Sequence, residues 1–299
     1  MTQEKVIALV GPTAVGKTSL SLDIAEQYRG EVVSADSRQV YRGLTIGSGK
    51  ILPSEMRGIP HHLIDVVDPR DTYTAAQFVE EGREAIRDIH ARGNIPIVVG
   101  GTGFYVDALL GRIALPRVPP NEALRSELAS LETEELARRL EAIDRDAYER
   151  MDTNNPRRLV RAIEIAEALG KVPPLVPHTP LYPTLWIGVT LPKDELAHTI
   201  KKRLDQRLAG GMLAEARDLH EGGLSFERME ELGLEYRFMA RHLKGEVPYD
   251  DMVRDLEKEI IEYAKRQMTW FKKNRDITWF APTDSEGILQ KVRSFLEKL

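Results

Sequence analysis

The chain has no cysteine among its 299 residues. That excludes disulfides, thiolate metal sites and a cysteine nucleophile. No apolar run approaches the ~20 residues that span a bilayer. Met1–Lys5 runs straight into an apolar segment, leaving no room for a signal peptide, so a cytoplasmic protein is expected. The seven histidines show no H-E-x-x-H or other metal spacing and read as surface or hydrogen-bonding residues. An excess of positive charge is also missing. The net charge of −5 argues against a nucleic-acid partner for the chain as a whole, although it hides local patches. Apolar (42%) and charged (30%) fractions are those of an ordinary soluble globular protein. The length suits one large domain or two smaller ones.

What is present begins at residue 6. Val6–Val10 is apolar and β-branched, as a buried parallel strand should be, and it delivers the chain into Gly11-Pro12-Thr13-Ala14-Val15-Gly16-Lys17-Thr18. This is G-x-x-x-x-G-K-T, a phosphate-binding P-loop. The backbone N–H groups of Gly11 to Lys17 form a concave nest for oxyanions. Lys17 adds a point charge, and the Thr18 hydroxyl is placed to hold Mg²⁺. Lys17–Gln27, with Leu20, Ile24 and Ala25 apolar, suits the helix that should follow. The loop implies a di- or triphosphate ligand without saying which.

Strand and helix signals alternate onward. Glu31–Ala35, Ile95–Val99 and Leu185–Thr190 read as strands, Thr74–His90 as a helix, and Ile277–Phe280 as a short terminal strand. The β-α-β order predicts a parallel, doubly wound α/β sheet with ligands at the carboxyl ends of its strands. Proline clusters at 116–120 and 173–183 bracket a wholly helical, Glu- and Arg-rich segment. Residues 116–184 are therefore expected to form a helical insertion, a mobile lid, in a discontinuous core of 1–115 and 185–299. The alternative is that these helices pack into the core. After Thr190, helices are expected over Lys193–Ala209, Leu213–Glu221, Leu232–Leu243 and Tyr249–Asn274, with a last one after Ser285.

Several constellations carry chemistry. Asp36, in Ser34-Ala35-Asp36-Ser37-Arg38-Gln39, stands at a strand's carboxyl end; it is either a turn residue or a carboxylate facing the ligand. His61 and His62 are adjacent in an extended segment and point opposite ways, a poor metal pair. Gly100-Gly101-Thr102-Gly103 implies close backbone approach to something and presents the Thr102 hydroxyl at the site mouth. Asn155 and Pro156 read as N-cap and N1 of a helix that opens with Arg157, Arg158 and Arg161. Arginines there are unfavourable unless an anion is present, which points to phosphate contact over a merely solvated face. Arg203 and Arg207, one turn apart, either reach an anionic site or pair with Asp205 and Glu195. Lys265 and Arg266, among Met268, Trp270 and Phe271, mix cations with aromatics; the cations suit RNA backbone, and the aromatics suit a helix core.

Together these motifs resemble one family, the tRNA dimethylallyltransferases (bacterial tRNA isopentenyltransferases). G-P-T-A-V-G-K-T, D-S-R-Q-V-Y-R-G, P-H-H-L-I-D-V-V-D-P, G-G-T-G-F-Y, N-N-P-R-R-L-V-R-A-I-E and A-K-R-Q-M-T-W-F occur in the family's order over nearly the whole chain. The resemblance implies a P-loop kinase-like core with a helical insertion that swings over an anticodon stem-loop. It implies transfer of a dimethylallyl group from its diphosphate to N6 of the tRNA adenosine immediately 3′ of the anticodon, with Mg²⁺. In that setting the P-loop, Arg203 and Arg207 hold diphosphate. Asp36 takes the N6 proton and Thr102 orients the amine or the leaving oxygen. Asp36, Ser37, Arg38, Gln39, Thr102, Arg125, Arg157, Arg158, Arg161, Lys265 and Arg266 face tRNA, and a monomer is expected. The chain departs from the family's G-T-A-K-P at Gly47-Ser48-Gly49-Lys50-Ile51 and from G-Y-K-E at Gly233-Leu234-Glu235-Tyr236, which leaves the role of the second stretch open. The competing readings are a small-molecule or nucleotide kinase, an isopentenyltransferase for free adenine nucleotides, and an RNA-binding module with a vestigial P-loop.

Overall fold

The computed structural model describes residues 4–176 and 178–298. They form two compact units, one of Met1–Gly111 with Pro180–Leu299 and one of Arg112–Thr179. The divisions fall a few residues before the 116 and 184 that the prolines suggest. The returning chain is already tied to the outgoing one, since the Leu181 N–H donates to the Leu110 carbonyl at 2.9 Å.

In the first unit six strands make one sheet: β1 (Val6–Val10), β2 (Gly30–Ser34), β3 (His61–His62), β4 (Ile95–Gly100), β5 (Thr184–Val189) and β6 (Thr278–Phe280). Their order is β3-β2-β4-β1-β5-β6, and every pairing is parallel. β1 is buried along its whole length because both faces of the sheet are covered. Val6, Ala8 and Val10 enter one core; Ile7 and Leu9 enter the other. Helices α1 (Lys17–Tyr28), α2 (Ala75–Ala91) and α3 (Gly103–Leu109) belong to this half. α1 packs in the core of Ile7 and Leu9, α2 and α3 in the opposite one.

The second unit contains only helices among its described residues: α4 (Glu122–Leu128), α5 (Thr133–Ile143), α6 (Arg145–Arg150) and α7 (Pro156–Leu169). They close on their own apolar core of Leu124, Leu128, Leu136, Leu140, Leu159 and Ile163. Asn155 caps α7 as its sequence suggests, its side chain accepting from the Arg158 N–H at 3.2 Å with Pro156 at N1.

The first unit resumes with α8 (Lys193–Ala209), α9 (Met212–Glu221), α10 (Phe226–Leu232), α11 (Leu234–Leu243), α12 (Tyr249–Phe271) and α13 (Ser285–Leu296). The helix expected over Leu232–Leu243 is α11, which begins at Leu234 because Gly233 at φ +77° separates it from α10; α10 itself was not foreseen. α3 and the two-residue β3 were not foreseen either. Among the described residues no helix is long and apolar enough to cross a membrane.

This topology fixes the ligand crevice. In register Val10 lies opposite Gly100 of β4 and Gly188 of β5. The chain leaves β1 toward β2 on one side and leaves β4 toward β5 on the other. The carboxyl ends of β1 and β4 therefore part around an open space, the place where open α/β sheets bind ligands.

Candidate active site

The P-loop is shaped by three residues with positive φ. Gly11 has φ +145°, and a Cβ there would meet the Val189 carbonyl oxygen at 2.2 Å, so glycine is required. Ala14 (φ 66°) and Gly16 (φ 85°) turn the chain again before α1 starts at Lys17. The Lys17 ammonium folds back, donating to the carbonyls of Gly11 and Pro12 at 3.0 and 2.6 Å. Burial lowers its pKa from 10.5 to about 7; the Asp36 carboxylate opposes that shift and the Arg203 guanidinium adds to it. An anion arriving beside it would raise that pKa again.

The loop forms one wall of a cavity of about 370 Å³. Asp36 and Gln39 line it from the segment after β2, Gly100 and Gly101 from the end of β4, Arg203 and Arg207 from α8, and Tyr263 and Gln267 from α12. Thr18 and Ser34 also face it, and Val32, Ile51, Ile64 and Val99 make an apolar lining. The P-loop, a carboxylate, two guanidiniums and apolar side chains thus meet in one space.

The turn reading of Asp36 holds in the structure, and the residue also lines the cavity. Its Oδ1 accepts from the N–H of Arg38 at 2.8 Å and of Gln39 at 3.4 Å, an Asx-turn that fixes the side chain. The carboxylate so held lines the cavity. Gln39 is fixed too: its Nε2 donates to the Gly49 carbonyl at 3.4 Å and its Oε1 accepts from the Ser34 hydroxyl at 3.2 Å. Thr102, expected at the site mouth, follows Gly101 but is not among the residues that line the cavity. Its hydroxyl makes no cap bond to α3; it accepts from the Ser37 N–H at 3.3 Å and is hydrogen-bonded to the Tyr263 phenol. Burial beside Asp36 pushes that phenol up to about 12, so it stays protonated.

The glycines around Thr102 do imply close approach, but to the chain itself. A Cβ on Gly100 would meet the Ala35 carbonyl oxygen at 2.1 Å, one on Gly101 the Gln267 amide at 2.1 Å, and one on Gly103 the Trp270 ring at 2.2 Å. Gln267 is the residue sequence reasoning passed over. It is 7% exposed on the buried stripe of α12, accepting from the Thr13 N–H at 2.9 Å and donating to the Gly101 carbonyl at 3.0 Å. It ties the P-loop to the end of β4. Its only signal is a polar letter one turn from Ala264 and Phe271. Trp270 and Phe271 do pack inward, Trp270 bonding Asp107 at 2.8 Å.

Arg203 and Arg207 reach the cavity rather than pairing with Asp205 and Glu195. Burial and the neighbouring Arg207 lower the Arg203 pKa to about 10. Arg207 bonds Glu235, which gives the Gly233–Tyr236 stretch a place in the site; Tyr236 donates to Glu215 at 2.8 Å. Glu215 in turn accepts from the backbone N–H groups of Thr45, Ile46 and Gly47 at 3.0, 2.6 and 2.9 Å, anchoring the 45–49 loop. Of the histidine pair, His61 bonds the Ile59 carbonyl and lines the cavity, while His62 bonds Glu31.

The residues expected to face tRNA divide into two sorts. In the helical unit, Arg125 and Arg161 both bond the wholly buried Glu164 carboxylate, at 2.8 and 3.1 Å, and Arg161 also bonds the Val118 carbonyl. Arg158 stays 65% exposed, 3.8 Å from Asp152. Arg157 leads the same helix. On α12, Lys265 and Arg266 lie on the surface, paired with Glu262 and Glu259 at 2.5 and 2.7 Å.

A family model described as IPP transferase matches residues 39–274, and one described as isopentenyl transferase matches residues 4–68. A tRNA dimethylallyltransferase of Thermomicrobium roseum is 38% identical over 99% of this chain and 92% of its own. The tRNA dimethylallyltransferase 1 of Geotalea daltonii is 44% identical over 90% of this chain and 86% of its own. Among solved structures, the tRNA isopentenylpyrophosphate transferase of Bacillus halodurans superposes with TM-score 0.75 at 36% identity, covering 99% of this chain and 97% of its own. A eukaryotic dimethylallyltransferase acting on tRNA does so with TM-score 0.78 at 28% identity, covering 97% and 77%.

Proposed function

The chain belongs to the tRNA dimethylallyltransferase family, and from that premise we propose how its cavity works: it transfers a dimethylallyl group from dimethylallyl diphosphate to N6 of the tRNA adenosine immediately 3′ of the anticodon. The observation that supports this most is the convergence of the P-loop, Asp36 and Arg203 on one cavity with an apolar lining. The allylic C1–O bond breaks and its electron pair leaves with the diphosphate. Loop N–H groups, Lys17, Arg203 and Arg207 stabilise the charge that builds on the phosphate oxygens. The N6 lone pair, weakened by delocalisation into the purine, forms the new bond to carbon as its proton passes to Asp36. The base must leave its stack to enter, and Gln39 is fixed where it can read the adenine edge. The apolar lining keeps the prenyl tail dry.

Thr18, facing the same cavity, would help to hold a Mg²⁺ ion there. Bound there, it would offset charge on the departing diphosphate. The helical unit, with Arg157 and Arg158, grips the anticodon stem-loop together with Lys265 and Arg266. The protein works as a monomer in the cytoplasm.

The test offers labelled dimethylallyl diphosphate to the purified protein with unmodified tRNA, with AMP, or with neither. Label in tRNA alone supports the reading. Label in AMP indicates a free-nucleotide enzyme, and no transfer with retained diphosphate binding indicates a different P-loop chemistry.

A further inference from the structure

Arg207 lines the cavity, yet one edge of its guanidinium is already engaged. Nη1 donates to Glu235 Oε1 and to the Gly47 carbonyl, each at 3.3 Å. Nη2 lies against Gly49, where a Cβ would fall 1.8 Å away. Gly49 has φ +61°, so the loop both bends and leaves the space that the guanidinium fills. Glu235 is 9% exposed at the start of α11. The transfer chemistry makes no use of this carboxylate. Burial raises its pKa against the pull of the Arg207 and Arg38 cations, and the Asp36 carboxylate adds to the rise.

A buried carboxylate beside a cation that grips an anion works against that anion, since like charges repel strongly where water is scarce. The empty site gains from the arrangement: Glu235 offsets the repulsion between the two neighbouring guanidiniums. A filled site loses by it. The loop amides, Lys17, Arg203 and Arg207 would together hold a diphosphate product tightly, and slow product release limits many enzymes.

We propose that Glu235 is an internal counter-anion that keeps Arg207 docked on the 47–49 loop in the empty site and competes with diphosphate for it, so that the product is let go. This rests on reading the cavity as the diphosphate site. Glu235 is thus a positioning residue that acts through Arg207, and Gly49 makes the docked position available.

The test measures inorganic pyrophosphate affinity of the whole protein by calorimetry, and pyrophosphate inhibition against dimethylallyl diphosphate, with tRNA KM alongside. E235Q keeps the side chain's shape and removes its charge; it should bind pyrophosphate roughly tenfold more tightly, the usual coupling of groups in direct contact. Inhibition should strengthen in step while tRNA KM stays put. G49A alters no charge but denies Arg207 its dock, and should shift affinity in the same direction. In an R207A background both effects should shrink sharply. Pyrophosphate affinity unchanged or weakened in E235Q and G49A overturns the proposal, as does a full-sized E235Q effect without Arg207. A wild-type protein that binds neither pyrophosphate nor dimethylallyl diphosphate would instead overturn the diphosphate reading of the site.

Discussion

β2 has a carboxylate near each end, and the two are used in opposite ways. Glu31, at the amino end, is 2% exposed and saturated. Arg92 grips it through Nε and Nη2 at 2.9 and 2.7 Å, Asn94 donates at 2.8 Å and His62 at 2.7 Å. These bonds hold its pKa at about 2, the Arg92 hydrogen bonds contributing most. Asp36, just past the carboxyl end, lends Oδ1 to a turn and presents the carboxylate to the cavity. The saturated group joins β2, β3 and the turn before β4; the group with capacity left is available for chemistry. On the proposed mechanism the same residue class serves as scaffold or reagent according to how many donors surround it, and a parallel sheet places the second kind where its strands end.

The most direct way to break this contrast is Asp36→Asn. It should lower kcat by about 10²–10⁴-fold, the range for loss of a general base, with little change in tRNA affinity or melting temperature. Near-normal turnover would reduce Asp36 to a turn residue.

Glu31→Gln should do the reverse. Losing charge-assisted bonds costs about 2–3 kcal/mol of stability, while kcat of the folded enzyme holds. The pH dependence follows in sign. A carboxyl whose folded pKa is depressed adds stability that is complete above its unfolded value of 4.5 and fades as pH falls toward about 2. Wild type should therefore lose stability over that window, and Glu31→Gln should lose less. Melting curves between pH 6 and the acid limit, taken for both, decide it; parallel curves would mean the network adds nothing.

Lys17→Ala sharpens the contrast from the other wall of the cavity. Diphosphate affinity should fall about 10- to 100-fold, the worth of a hydrogen-bonded charge, with tRNA binding nearly intact. Titration of dimethylallyl diphosphate with and without Mg²⁺ checks it, and unchanged affinity would mean that the loop serves another ligand.

The carboxyl end of the sheet was the legible part. The P-loop declares itself in eight consecutive letters, β1 and α1 flank it with clear periods, and Asp36 follows a strand by two residues. The helical interruption was legible from its bracketing prolines. What stayed hidden depends on side chains distant in sequence. Glu31 meets Arg92 and Asn94 sixty-odd residues on, and Gln267 reaches back to Thr13. A polar letter on an apolar face looks the same whether it is satisfied or idle, because its partners are set by tertiary packing. β3 escaped notice because two residues cannot show a period. The two departures from the family's pattern, at Gly49 and at Glu235, looked unrelated in the chain; both touch Arg207.

Burial of the partner carboxylate divides the arginines of the helical unit, and it sets the smallest effect. Glu164 is to that unit what Glu31 is to the sheet: it accepts from Arg125, Arg161 and the Asn121 N–H. Arg161 also bonds the Val118 carbonyl at 2.8 Å, so one guanidinium joins α7 to the segment before α4. Arg161→Ala should thus cost stability, about 1–2 kcal/mol for the hydrogen bonds it removes. Arg157 and Arg158 lead α7 from its exposed first turn, where a phosphate would find both the charges and the helix N-terminus. Replacing that pair with alanine should leave melting unchanged, since exposed charges contribute little. It should flatten the log–log salt dependence of tRNA affinity by about one to two units, roughly one for each phosphate that is no longer neutralised. An Arg161→Ala variant that flattens the salt slope as much, and melts as wild type does, would show that burial of its partner carboxylate does not decide which arginine serves the fold and which serves the RNA.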